Sequence, residues 1–60
     1  MPYTMVEKTD VLTELNNSTE MYIVDFPTLR VMRCDEMTFS AVRSFIDKPE
    51  AMFFKVVAND

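Results

Sequence analysis

Glycine and histidine are both absent from this 60-residue chain, and cysteine occurs once. Loops that cradle phosphate, and dinucleotide-binding fingerprints, need glycine so that backbone can approach the ligand closely, so nucleotide-binding motifs in their usual forms are excluded. Without histidine, the Ser-His-Asp and Cys-His arrangements of nucleophilic catalysis are excluded too. One thiol and no imidazole cannot supply the usual ligand count of a zinc site, and one cysteine cannot form an intrachain disulfide. Arg33 next to Cys34 would lower the thiol pKa and Asp35 opposes it, so Cys34 is expected to be a small buried hydrophobe. The lack of glycine also restricts turns. Two-residue hairpins of the primed types want positive φ, so turns here should be type I or longer, or place Asn16, Asn17 or an Asp in the left-handed region.

Long apolar runs are missing as well. No charge-free stretch approaches 18 residues, and the start of the chain, Met1 to Lys8, lacks the basic-then-apolar layout of a signal peptide. The sequence is therefore expected to be cytoplasmic, with no membrane partner. Asn16-Asn17-Ser18 and Asn17-Ser18-Thr19 match the glycosylation sequon, but without a secretory signal the match reads as chance. Six basic against ten acidic residues give a net charge of -4, which disfavours nucleic acid and anionic membranes and favours basic partners. The nearest carboxylate pairs, Asp35 with Glu36 and Asp47 with Glu50, flank a helix, where capping and the helix dipole account for them. They have neither the Asp-x-Asp spacing nor the loop glycine of a cation site. No cofactor, metal or catalytic activity is expected.

What the chain does have is apolar mass: 48% of residues are hydrophobic, with five Phe and six Met. That suffices for one packed domain over residues 1–60. At this length a single core is marginal, and association is the remaining way to reinforce it.

The elements follow from periodicity. Residues 3 to 8 alternate poorly, with Tyr3 and Met5 on one side and Val6 on the other, so their pattern leaves a short strand open without fixing it. Thr9 and Asp10 are potential N-caps for a short helix or turn carrying Val11, Leu12 and Leu15. Met21 to Phe26 reads as a strand, and Leu29 to Cys34 alternates, so the two are expected to make an antiparallel hairpin with Pro27 at a first turn position, a single bent strand being the alternative. Thr38 caps a principal helix over about 38–47, with Met37 as a staple and Phe39, Val42, Phe45 and Ile46 on one stripe. Lys48-Pro49 ends it, and Ala51 to Ala58 forms the last strand. The fold class is α+β: a small three- or four-stranded, mainly antiparallel sheet with one principal helix on one face and a short N-terminal helix or turn.

Both main strands are apolar on their two faces. Met52, Phe54 and Val56 form one row of the last strand, while Phe53 and Val57 flank Lys55 on the other. With the principal helix over one face, the opposite face is expected to show Phe53, Lys55 and Val57 beside Tyr22 and Phe26, and these five are the candidate partner-binding residues. The cover for that face is the Val11–Leu15 segment, a second copy of the chain, or another protein, which could also add a strand at the sheet edge. A basic and aromatic patch of Arg30, Arg33, Tyr22 and Phe26 is the alternative use, opposed by the net acidity. The expected function is a small non-enzymatic regulatory protein that binds and inhibits or modulates a larger protein partner, a description that fits inhibitors encoded by viruses or mobile elements. The alternatives are a self-assembling homo-oligomer, such as a homodimer, and an acidic nucleic-acid mimic, although the ten carboxylates form no dense block.

Overall fold

The computed structural model describes residues 2–57. The strands are β1 (Tyr3–Val6), β2 (Met21–Asp25), β3 (Arg30–Arg33) and β4 (Ala51–Val56), and the helices are α1 (Val11–Asn16) and α2 (Phe39–Ile46). The expected α+β class holds: the four strands form one antiparallel sheet in the order β1-β4-β2-β3. The last strand of the chain is therefore central, paired with β1 on one side and β2 on the other. β1 and β2 run parallel with β4 between them, and β3 and β4 run parallel with β2 between them. The chain is thus two split β-α-β units, one through each helix.

Register assigns each side chain to a face. On one face lie Val6, Phe53, Ile23 and Met32 in one row, Thr4, Lys55 and Met21 in the next, and Ala51 with Asp25 in a third. Both helices pack there. Val11 of α1 and Val42 of α2 are fully buried with Met21, Ile23, Cys34, Ala51 and Phe53, and Leu15, Met37, Phe45 and Ile46 close the core around them. Cys34 is buried, as expected, in the 3-10 turn that follows β3.

This assignment reverses the expected one for the last strand. Phe53 has no exposed surface and is the largest buried side chain. It lies on the covered face, while the row Met52, Phe54 and Val56 is turned away from the helices. The reason is that the charged residues of the two central strands on the covered face, Lys55 and Asp25, sit at its two ends, where partners reach them. Lys55 Nζ bonds Glu14 Oε2 of α1 at 2.8 Å, and Asp25 accepts Lys48 Nζ at 3.0 Å on both carboxylate oxygens and the Thr28 hydroxyl at 2.9 Å. A second correction concerns the cover. The Val11–Leu15 segment does pack on the sheet, but on the same face as α2. Ala58, expected in the last strand, lies outside the described residues.

Local chemistry sets the boundaries. The Thr38 hydroxyl accepts from the Ala41 N–H at 3.2 Å, the expected cap of α2. Of its expected stripe, Val42 is buried, but Phe39 on the first turn is 61% exposed and faces an open depression beside Leu12 and Thr13 of α1. At α1 neither Thr9 nor Asp10 acts as a side-chain cap, because Lys8–Asp10 already winds as a 3-10 turn that feeds the helix. The end of α1 is a Schellman motif: Thr19 N–H donates to Glu14 O at 3.1 Å and Ser18 N–H to Leu15 O at 3.0 Å, with Ser18 at φ 60°. The β2–β3 hairpin begins its turn at Asp25, whose carbonyl accepts the Thr28 N–H at 3.3 Å, so Pro27 takes the third position rather than the first. Leu29, at φ 57°, returns the chain to β3. The left-handed positions are thus Ser18 and Leu29, in place of Asn16, Asn17 or an Asp.

Candidate functional site

The face opposite the helices has no cover among the described residues. Reading across the strands, its middle row is Met5, Phe54, Tyr22 and Arg33, with Tyr3, Val56 and Glu20 on one side and Met52, Val24 and Val31 on the other. Strand alternation puts these side chains together, since each is separated by one residue from its neighbour in the row above or below. The edge strands carry the most exposed members: Tyr3 at 53%, Met5 at 54% and Val31 at 65%. On the central strands Tyr22, Val24, Met52, Phe54 and Val56 are half-buried because they shield one another. Together these eight apolar residues present on the order of 500 Å² of accessible surface, the size of the largest patch on a typical monomer, which is often functional.

The face has internal order. The Tyr3 and Tyr22 rings meet edge to face, with centroids 6.0 Å apart and an interplanar angle of 81°. Tyr3, Tyr22, Val24, Val31 and Phe54 line a shallow depression of about 410 Å³. One corner is polar, and its charges are matched locally. The Tyr22 hydroxyl donates to Glu20 Oε2 at 2.6 Å, which holds the phenol pKa above its ordinary value. Arg33 Nε bonds both oxygens of Asp35, at 3.0 and 3.1 Å, and Arg33 Nη2 lies 4.0 Å from Glu20 Oε1. Among the described residues the face therefore presents aromatic and aliphatic surface, with its charged groups confined to one corner and engaged there with one another. A single strand of nucleic acid stacking there would find rings but no free cation, since phosphate binding needs a basic surround.

Of the five residues expected to bind a partner, the structure places only Tyr22 on this face. Phe26 is 48% exposed in the β2–β3 turn. Phe53 is core, and Lys55 is on the covered side, bound to Glu14. Val57, 38% exposed, follows β4 and donates its N–H to Pro2 O at 3.2 Å. The residues that replace them are Tyr3, Met5, Val24, Val31, Met52, Phe54 and Val56. The row Met52, Phe54 and Val56 was visible in the sequence as a charge-free alternative to the row containing Lys55, and that absence of charge is the signal that points to it. A wholly apolar row can face either way, whereas a charge set inside the covered face needs a partner reached through the tertiary fold.

Other groups offer less chemistry. The Cys34 thiol is pushed up to about 11, first by burial and then by the Asp35 charge, so it is a poor nucleophile near neutral pH. Among the described residues no three His, Cys, Asp or Glu side chains converge as metal ligands, and no helix is long and apolar enough to cross a membrane. Comparisons with protein-family descriptions, with curated proteins and with solved structures returned no match.

Proposed function

We propose that this chain is a small non-enzymatic regulatory protein that works by docking its open sheet face on a larger protein. The observation that carries the reading is the contiguous, charge-matched apolar face of Tyr3, Met5, Tyr22, Val24, Val31, Met52, Phe54 and Val56, left bare on one side of a sheet whose other side already holds both helices. A partner of matching chemistry offers an uncharged, aromatic-accepting surface, because no free charge on the face would compensate a desolvated ion opposite it. An open sheet face fits modulation by occlusion: it covers a site on its target rather than entering it. Nucleic-acid mimicry is less well supported, since Glu14, Glu20, Asp25 and Asp35 are engaged with cations of the same chain.

The test is affinity capture from the native cell with three baits: the wild-type chain, Val31→Asp on the open face, and Arg43→Glu on α2. Val31 is exposed enough for the fold to tolerate the charge, with stability expected within about 0.5 kcal/mol of wild type. A partner retained by wild type and Arg43→Glu but lost by Val31→Asp supports the reading. Partners held equally by all three baits would place the function elsewhere on the molecule.

A further inference from the structure

We infer that, in the absence of its target, the open face is occupied by a second copy of this chain, packed sheet to sheet about a two-fold axis lying in the interface. The inference rests on reading that face as a contact surface, and names its occupant in the free protein.

Area is the first argument. A face-to-face pair can bury at most about 1,000 Å² in total, twice the surface one copy presents, which is below the standard size of a stable interface and belongs to the weak, exchangeable class. Charge is the second. The chain carries a net charge of -4, so two copies repel at most relative orientations. The open face is the exception: among the described residues its ionised groups are Glu20 and Arg33, which lie 4.0 Å apart, and Arg33 is also held by Asp35.

Symmetry is the third argument. The middle of the face lies between Phe54 and Tyr22, and the polar corner is off to one side at the β2–β3 edge. A two-fold through that middle, along the strands or across them, sets the polar corner of one copy against uncharged surface of the other. No pair of like charges meets, which is what an isologous contact requires. The result is a two-sheet sandwich with the helices outermost, the usual way to bury the second face of a sheet. Such a dimer hides the surface the target needs. Target binding then competes with self-association, and the fraction of active protein falls as its concentration rises.

Sedimentation equilibrium of the full chain, from low to high micromolar concentration, tests this directly. The expected result is a mass rising from 7.0 kDa towards twice that value for wild type, and 7.0 kDa at every concentration for Val31→Asp. Met5→Lys on the opposite edge, 54% exposed in the wild type, is the second variant and should also be monomeric while keeping its far-ultraviolet circular dichroism. A wild type that stays at 7.0 kDa throughout, a mass growing beyond the dimer, or a dimer that survives both folded variants overturns the inference. The outcome separates cleanly from the capture experiment. A monomeric wild type whose target is lost by Val31→Asp leaves the function standing without the dimer. A dimer with no Val31-sensitive target leaves the dimer standing without the function.

Discussion

At the residue scale, the cost of having no glycine falls on Ser18 and Leu29, held at φ 60° and 57°. A left-handed backbone costs an L-residue with a side chain roughly 1–2 kcal/mol, and neither side chain offers the local hydrogen bonding that eases it for Asn or Asp. Ser18 occupies the Schellman position that glycine usually fills, and Leu29 takes its left-handed place in the β2–β3 turn with 76% of its surface exposed. Replacing either by glycine should therefore stabilise the chain by about 1 kcal/mol, after allowing for the greater freedom of glycine in the unfolded state. Urea unfolding checks this: the midpoint should rise with an unchanged slope, and a fall would mean that the side chain makes contacts worth more than the strain. The Thr38 cap was legible in sequence because capping is decided within four residues. Ser18 was not, since Asn17 beside it is the better left-handed former, and which of them takes the position depends on where α1 stops.

At the scale of elements, two charge contacts fasten the helical layer to the sheet: Glu14 of α1 to Lys55 of β4, and Lys48 after α2 to Asp25 of β2. The Lys8 ammonium donates to the Lys48 carbonyl, tying the segment after β1 into the same corner. Hydrogen bonds from Lys48 and Thr28 hold the Asp25 carboxyl below its ordinary pKa, and those from Lys55 and Thr19 do the same for Glu14. Because both folded values are depressed, the associated stability is fully present above the unfolded carboxylate range, about pH 4, and is lost as pH falls through the folded values. Asp25→Asn should be less stable than wild type at neutral pH and should lose less further stability on acidification below about pH 4. Denaturant midpoints at neutral and acid pH measure this, and an identical acid loss in the two proteins would remove Asp25 as its source. These same contacts explain what sequence could and could not show. The strands β2 and β4 and the helix α2 are local and periodic, so they were readable, whereas β1 alternates poorly and local pattern left the β2–β3 run open between a hairpin and one bent strand. Which face of β4 is covered depends on Glu14 lying 41 residues from Lys55, a pairing no local pattern records.

At the scale of the whole molecule, topology decides that one face is bare. β1-α1-β2 and β3-α2-β4 cross the sheet in opposite directions on strands of opposite sense. With one and the same right-handed crossover, both helices land on the same side. The sequence contained both helices, but only the strand order shows that the second cannot cover the face left by the first. The core this builds is small and centred on Phe53. Phe53→Ala should cost about 3–5 kcal/mol, comparable to everything a single core of this size provides. The variant is expected to be unfolded at room temperature by circular dichroism and amide dispersion in NMR. A cooperatively folded Phe53→Ala protein would show that stability resides elsewhere, for instance in the association of two sheets.

The central place of β4 also governs when the protein comes into being. β1 precedes β4 by about 45 residues and, among the described residues, has no other strand partner, while β2 has only the short β3 until β4 arrives. Contacts so distant in sequence form late and only after loop closure has been paid. The nascent chain must therefore hold β1, α1 and the β2–β3 hairpin in waiting until β4 is made, with the future core open to chaperones and proteases. Assembly then becomes a single closing event, and a chain interrupted before residue 51 has no smaller fold to settle for.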